Sequence, residues 1–158
     1  MRSPSETVIR PAISEDAPAV GRIIRRVAHH FTPLRPRAAD GFLLSLTPEA
    51  IARHITSPRC MYMVSVDDCV VSGVVGLRDS THLLHLFVDP RFQRQGVGRR
   101  LWEEIRALAL LFGNTHGFTV NATSFAVPFY ERFGFRPSGP RIETNGIAYT
   151  PMRLTLPV

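Results

Sequence analysis

Two closely spaced glycines flanked by arginines form the segment of this sequence with the clearest chemical potential. Gly96 and Gly98 lie at the predicted start of a helix, and Arg94 and Arg99 lie beside them. Backbone N–H groups in the first turn of a helix have no partner within the helix, so they can hold an anion, and the helix dipole strengthens the attraction. Glycine lets a phosphate approach the backbone, and arginine adds charge-assisted hydrogen bonds. The segment therefore predicts a site for a ligand that contains a diphosphate.

The surrounding sequence excludes the best-known nucleotide-binding motifs. A dinucleotide fingerprint would need a third glycine where the chain has Leu101, and an acidic residue about twenty positions further on, where none lies between Glu104 and Glu131. All nineteen basic residues are arginine, which excludes a Walker-A phosphate loop, a Schiff-base aldolase and the usual pyridoxal-phosphate enzymes, because each needs a lysine. An alternative is that the glycines only allow a tight turn. This alternative does not explain the neighbouring arginines.

The glycines lie within a predicted mixed α/β domain that spans residues 1–158. Hydrophobic periodicity and turn residues predict strands at 7–12, 60–66, 69–77, 82–88, 118–122, 135–136 and 147–156. Helices are predicted at 14–31, 47–56, 96–112 and 124–133. Ser14 and Thr47 are the predicted N-caps of the first two helices, because their hydroxyl groups can accept from the first turn.

Residue types predict two further details of these elements. Asp67-Asp68 is predicted to form a two-residue hairpin turn that sets Cys60 and Cys69 far apart along the ladder, so both cysteines are predicted to be small buried residues rather than a disulfide. In the helix after the glycines, apolar side chains recur at helical spacing. They predict one buried stripe, formed by Val97, Leu101, Ile105, Leu108 and Phe112.

Two motifs in this part of the chain resemble those of the GNAT acetyltransferases. Gln93-Arg94-Gln95-Gly96-Val97-Gly98 matches the signature Q/R-x-x-G-x-G/A, and it lies between the fourth predicted strand and the third predicted helix, as in that family. Residues 121–135, which include Asn121, Phe129 and Tyr130, resemble the family segment N-x-x-(S)-x-A-x-x-F-Y-x-x-x-G-F. The resemblance implies an α/β (α+β) GNAT fold with a mixed sheet of about seven strands, splayed between strands 4 and 5 and flanked by about four helices.

The resemblance also implies that acetyl-CoA is the cosubstrate. The backbone of Phe87 and Val88 would hydrogen-bond the pantetheine arm, and the amides between Arg94 and Arg99 would hold the pyrophosphate. Asn121 would help to line the gap through which the thioester enters. The implied cofactor-binding residues are Phe87, Val88, Gln93, Arg94, Gln95, Gly96, Val97, Gly98, Arg99, Asn121 and Phe129.

Acetyl transfer from a thioester to an amine needs deprotonation of the amine, stabilisation of the oxyanion and a proton for the thiolate. By resemblance, Tyr130 donates the proton to sulfur, and a backbone N–H in the Val88 region polarises the carbonyl. Tyr130 has the alternative role of a core aromatic residue. Pro128 lies early in the same predicted helix and would shift its start or kink it, which would move Tyr130 relative to the sulfur.

His82 is the candidate general base, because some relatives carry a glutamate or histidine in this register. The alternatives are that His82 is an ordinary strand-end residue in contact with solvent and that water chains remove the proton. His85 has the opposite parity, so a regular ladder would turn it to the other face of the sheet. No metal site is predicted, because His29 and His30 point in different directions on one helix and have no acidic or cysteine partner nearby.

These features predict an acetyl-CoA-dependent N-acetyltransferase that acts on a primary amine of a small molecule or peptide by direct attack on the thioester. By resemblance, residues 31–56 would form the acceptor pocket, but their sequence does not identify the acceptor. One alternative is a non-catalytic acyl-CoA sensor of the same fold, which would keep Gly96 and Gly98 but not need Tyr130. A nucleic-acid-binding protein is disfavoured, because only the net charge of +6 suggests it.

The sequence also predicts a cytoplasmic location. Its apolar runs are too short to cross a bilayer, and its first residues lack the apolar region of a signal peptide. No membrane partner is therefore expected. Proteins of the resembled family often form homodimers, although this sequence carries no dimer signature.

Overall fold

The computed structural model describes residues 6–27, 46–144 and 147–157 of the chain. Its strands are β1 (Val8–Pro11), β2 (Cys60–Asp67), β3 (Val70–Arg78), β4 (His82–Val88), β5 (Phe118–Ala122), β6 (Arg136–Pro137), β7 (Ile142–Thr144) and β8 (Ile147–Leu154). Its α-helices are α1 (Ala17–Val27), α2 (Pro48–Thr56), α3 (Val97–Leu111) and α4 (Val127–Arg132). Residues 28–45, which include the predicted end of the first helix and much of the expected acceptor region, lie outside the described residues.

The strands form one mixed sheet in the order β1-β2-β3-β4-β5-β8-β6, and β7 pairs with β8. Every pairing is antiparallel except that of β4 with β5. That parallel pair joins only His82 to Thr119 and Leu83 to Val120, after which the two strands diverge. The α/β fold class and the splay between strands 4 and 5 are therefore confirmed, and β7 is a short strand that the sequence did not predict.

The helices cover both faces of this sheet with separate apolar cores. On one face, Leu101 and Ile105 of α3 pack against Val75 and Leu83. On the opposite face, α1 and α2 pack against a second set of strand residues that includes Val64 and Val74. Successive side chains of a strand point to opposite faces, which explains why neighbouring strand residues belong to different cores.

The two predicted helix caps have different outcomes. Thr47 caps α2 as predicted: its hydroxyl accepts from the amide of Ala50 at 3.2 Å. Ser14 does not cap α1, because a short 3₁₀ turn at Ser14–Asp16 precedes that helix. The carboxylate of Asp16 instead accepts from the backbone of Ile13 at 2.8 Å, so the predicted Ser14 cap was wrong.

The hairpin turn lies one residue later than predicted. Asp68 and Cys69 occupy it with φ angles of 46° and 66°, and Asp67 pairs with Val70. Positive φ at both central residues matches the twist of the flanking strands. This shift places Cys69 in the turn, where it is exposed, while Cys60 is half-buried, so the prediction that both are buried was wrong.

The predicted stripe of α3 is buried except at its end. Val97, Leu101 and Ile105 are buried, and Leu108 is half-buried. Phe112 is 68% exposed, because the helix ends at Leu111 and Phe112 caps it in a non-helical conformation. The inclusion of Phe112 in the buried stripe was therefore wrong.

Candidate active site

The divergence of β4 and β5 accompanies a cavity of about 600 Å³ lined by the end of β4, the start of α3 and α4. The sequence-predicted residues that line it are Phe87, Val88, Gln93, Arg94, Gly96, Val97, Gly98, Arg99, Phe129 and Tyr130. Gln95, Asn121 and His82 do not line this cavity. Their predicted roles in binding and catalysis stay predictions.

Each glycine at the start of α3 meets a different local requirement. Gly96 is the N-cap of the helix with φ of 78°, a left-handed conformation that glycine adopts without steric cost. Gly98 lies against α4, where an added Cβ atom would be 3.2 Å from Cζ of Phe129. The first helical bond of the segment runs from Arg100 N–H to the Gly96 carbonyl at 3.1 Å. The amides of Val97, Gly98 and Arg99 thus have no partner within the helix.

The backbone of β4 presents alternate polar groups to the gap between the splayed strands. The amide of Asp89 donates to the Ser72 carbonyl on the β3 side at 2.8 Å, and Phe87 lies opposite Val74 in the same ladder. Alternation along the strand therefore turns the N–H groups of Leu86 and Val88 away from β3 and toward the gap. Of the two residues predicted to bind pantetheine through their backbone, Val88 faces the gap and Phe87 faces β3.

Asp89 stabilises the loop that leads from β4 to α3. It is 1% exposed, its carboxylate accepts from the Arg91 backbone at 2.9 Å, and the guanidinium groups of Arg91 and Arg26 both bond to it. Burial acts to raise the pKa of this carboxyl, but the hydrogen bonds from Arg91 and Arg26 outweigh it and hold the pKa below its ordinary value. The buried carboxylate therefore stays ionised and ties the loop to the last turn of α1.

Tyr130 lines the cavity from α4 and is 7% exposed. Pro128 falls in the first turn of this helix, which begins at Val127, so no helical hydrogen bond is lost and the predicted kink does not occur. The ring packs against Phe129 and Phe135, with centroids 5.4 Å and 5.6 Å apart. Burial raises the pKa of the phenol, so it remains protonated and able to donate.

A bulge in β4 changes the expected face of its histidines. Gly76 pairs with His85, but the next residue, Leu77, pairs with Leu83, so Leu84 is an extra residue on β4. An extra residue reverses the alternation of side chains. His82 and His85 therefore lie on the same face, and the prediction of opposite faces was wrong.

Both histidines are anchored through Nδ1 to a hydroxyl of another strand, Thr119 on the adjacent β5 and Tyr62 on β2 beyond β3. His82 Nδ1 lies 2.8 Å from Thr119 Oγ1, and His85 Nδ1 lies 2.9 Å from the Tyr62 hydroxyl. The ring of His54, from α2, lies 6.0 Å from that of His85. Burial and then the charge of Arg78 lower the pKa of His82, while burial and His54 lower the pKa of His85 to about 4. The histidines are therefore neutral at physiological pH.

Several cavity residues were not found by sequence reasoning. They are Val27, Leu86, Phe92, Thr123, Phe125, Ala126, Pro128, Arg132 and Phe133. Thr123 precedes α4, its carbonyl accepts from the amides of Ala126 and Val127, and its buried hydroxyl has no hydrogen-bond partner in the described part of the chain. Asn121, two residues earlier, is exposed on β5. The sequence feature that could have identified Thr123 as a site residue is its position directly before the predicted helix at 124–133.

Two kinds of feature are absent from the described residues. None of their helices has the length and apolar character needed to cross a membrane. Within the same residues, no group of three or more His, Cys, Asp or Glu side chains could hold a metal ion.

The sequence matches a family model described as an acetyltransferase (GNAT) domain over residues 30–156. The chain belongs to the GNAT acetyltransferase family. Among curated proteins, none matches this GNAT chain.

Solved structures with the same fold include several members of this family. A GCN5-related N-acetyltransferase from Rhodopseudomonas palustris has a TM-score of 0.80 at 21% identity, with 99% of each chain covered. The PaiA N-acetyltransferase from Thermoplasma acidophilum, in complex with coenzyme A, has a TM-score of 0.77 at 14% identity, with 96% of this chain and 99% of that chain covered. The ribosomal-protein-S18-alanine N-acetyltransferase from Escherichia coli has a TM-score of 0.71 at 20% identity, with 95% and 94% covered. At these identities the likeness shows the fold of this GNAT domain.

Proposed function

We propose that this GNAT protein is an acetyl-CoA-dependent N-acetyltransferase that acts on a primary amine of a small molecule or peptide. The observation that carries the proposal is the cavity at the splayed strands, with the amides of the first turn of α3 and the side chains of Arg94 and Arg99 on its wall. The coenzyme A complex of the similar PaiA protein supports the same ligand. We include in the proposal a single domain over residues 1–158 and a cytoplasmic location.

The residues present fit coenzyme A. Unpaired amides and two guanidinium groups suit a diphosphate, since helix N-termini and arginine both bind phosphate. The space beside Gly98 would be closed by any larger side chain, because a Cβ atom there already approaches Phe129 to 3.2 Å. The Val88 N–H, on the open side of β4, suits the pantetheine arm or the acyl carbonyl.

Acetyl-CoA, when bound, supplies an acyl group activated as a thioester. In the proposed reaction, the Val88 N–H polarises the acyl carbonyl, and the amine attacks directly without an acyl-enzyme step. In the proposal, water relays the proton that the amine loses to His82, which is neutral, anchored to Thr119 and outside the cavity lining. The Tyr130 hydroxyl, kept protonated by burial, donates the proton that the departing thiolate takes up.

Isothermal titration of acetyl-CoA tests the cofactor site. We expect wild type to bind with micromolar affinity and a Gly96→Arg, Gly98→Arg double variant to lose binding. Gly113→Arg is the matched control, because Gly113 also has a left-handed conformation and open space around it but lies away from the cavity. Absence of binding to folded wild type would overturn the assignment of acetyl-CoA as cosubstrate. The nucleic-acid-binding alternative would then be the next to test.

A turnover assay separates the enzyme from the acyl-CoA sensor. We expect thiol release from acetyl-CoA in the presence of a panel of primary amines. The position of Tyr130 on the cavity wall supports the enzyme, since a sensor has no need of a proton donor there. Tight acetyl-CoA binding without turnover on any amine or peptide N-terminus would favour the sensor.

A further inference from the structure

Arg132 is a third arginine on the cavity wall, and it has no role in the site described above. It is the last residue of α4 and lines the cavity together with Arg94 and Arg99. Within residues 6–27, 46–144 and 147–157, these guanidinium groups have no carboxylate partner, whereas Arg26 and Arg91 are both bound to Asp89. All three are exposed and therefore available to an anionic ligand.

The cavity wall has a uniform sign of charge. No described aspartate or glutamate lines it, although the chain as a whole carries thirteen acidic residues. Clefts lined by one sign of charge raise the local concentration of ligands of the opposite sign. The wall therefore favours a ligand with more than one anionic group.

Arg132 lies next to the diphosphate region but on the facing helix. Phe129 of α4 contacts Gly98 in the first turn of α3. Arg132 follows Phe129 by three residues, so the two side chains share one face of the helix and lie about 5 Å apart along its axis. The arginine is thus displaced by about one turn from the point where α4 meets the α3 amides.

We propose that Arg132 binds the 3′-phosphate on the ribose of coenzyme A, so that the site selects free coenzyme A over acyl carriers that lack this group. The inference rests on the proposed function. Coenzyme A carries a diphosphate and, separately, a ribose phosphomonoester, whereas phosphopantetheine attached to a carrier protein has neither. Arg94, Arg99 and the α3 amides serve the diphosphate, and Arg132 offers a planar pair of donors to the second anion.

Titration with coenzyme A and with 3′-dephospho-coenzyme A tests this proposal. We expect wild type to bind coenzyme A about tenfold more tightly than the dephospho form, a difference typical of one charge-assisted contact. Arg132→Gln should bind both ligands with the lower affinity, and Arg132→Lys should retain part of the difference. Arg141→Gln, an exposed arginine away from the cavity, should behave as wild type.

The outcomes separate this proposal from the function on which it rests. Equal affinity of wild type for the two ligands would overturn the role of Arg132 and leave the cofactor assignment standing. A tenfold preference that survives in folded Arg132→Gln would also overturn it. Failure of wild type to bind either ligand would remove both proposals together.

Discussion

Gly98 in the first turn of α3 lies against the ring of Phe129 on α4, so closely that a Cβ atom added to the glycine would lie 3.2 Å from Cζ of the ring. The close approach joins the two helices that flank the cavity. It also means that the second glycine of the motif is required for space, whereas Gly96, with φ of 78° and nothing near its Cβ position, is required for conformation. The two glycines should therefore respond differently to the same substitution.

Gly96→Ala should destabilise the fold by about 1 kcal/mol, because alanine is strained at positive φ. Gly98→Ala should leave stability nearly unchanged but weaken acetyl-CoA binding about tenfold, because the added Cβ atom and the Phe129 ring that it displaces both lie on the cavity wall. Thermal melts and isothermal titration measure the two effects. Gly113→Ala, with φ of 92° and no cavity contact, should reproduce only the stability loss. The interpretation fails if both motif variants lose binding in proportion to their stability.

Tyr130→Phe should lower kcat about a hundredfold, because it removes the proton donor for the thiolate. Affinity for acetyl-CoA should be unchanged, since the ring contacts with Phe129 and Phe135 remain. Steady-state kinetics on an amine found by screening, combined with titration, measures both quantities. Tyr149→Phe removes a hydroxyl on β8, away from the cavity, and should have no effect. An unchanged kcat in Tyr130→Phe would assign the tyrosine to the core.

His82→Gln should lower kcat/KM about a hundredfold near pH 7, because the amine loses its proton acceptor. The lowered pKa of His82 keeps its basic form present below the ordinary histidine value, so the acid limb of the wild-type pH profile should fall below pH 6.5. His116→Gln, in an exposed turn, is the control. Retention of the wild-type rate and profile in His82→Gln would show that water removes the proton.

The fold should lose stability in acid through His85. Its pKa is about 4 in the folded protein and 6.5 in the unfolded chain, so the unfolded state binds the proton more readily between these values. The free energy of unfolding therefore has its full value above pH 6.5. It falls by on the order of 2–3 kcal/mol as the pH decreases to 4. Urea unfolding at about pH 7 and about pH 4.5 measures the loss, which His85→Gln should reduce. An equal loss in the variant would assign the acid sensitivity to other groups.

Local features of this fold were readable from the sequence, whereas features that depend on strand pairing were not. The bounds of β4 and the Thr47 cap depend on neighbouring residues, and both were predicted correctly. The common face of His82 and His85 depends on the bulge at Leu84, which arises from the register with β3. Alternation along a single strand cannot reveal such a shift.

The same distinction applies to the cavity. The glycine motif predicted residues at one end of the cavity, because Gly96 and Gly98 both line it, and the proposed phosphate binding uses local backbone groups. Arg132 and Thr123 were missed, since their position on the wall depends on how α4 packs against α3. Pro128 was expected to distort its helix because the predicted start was Ser124, three residues before the observed one.

The shared attachment of Arg26 and Arg91 to Asp89 couples the position of the end of α1 to that of the loop that leads from β4 to α3. Any ligand that favours one position of α1 would favour the corresponding position of the loop, and by reciprocity cofactor binding would change the affinity for that ligand. Val27, next to Arg26, also lines the cavity, so a residue of the cavity wall directly follows the arginine that is bound to Asp89. A ligand that contacts Val27 and a ligand held by this loop should therefore each change the affinity for the other.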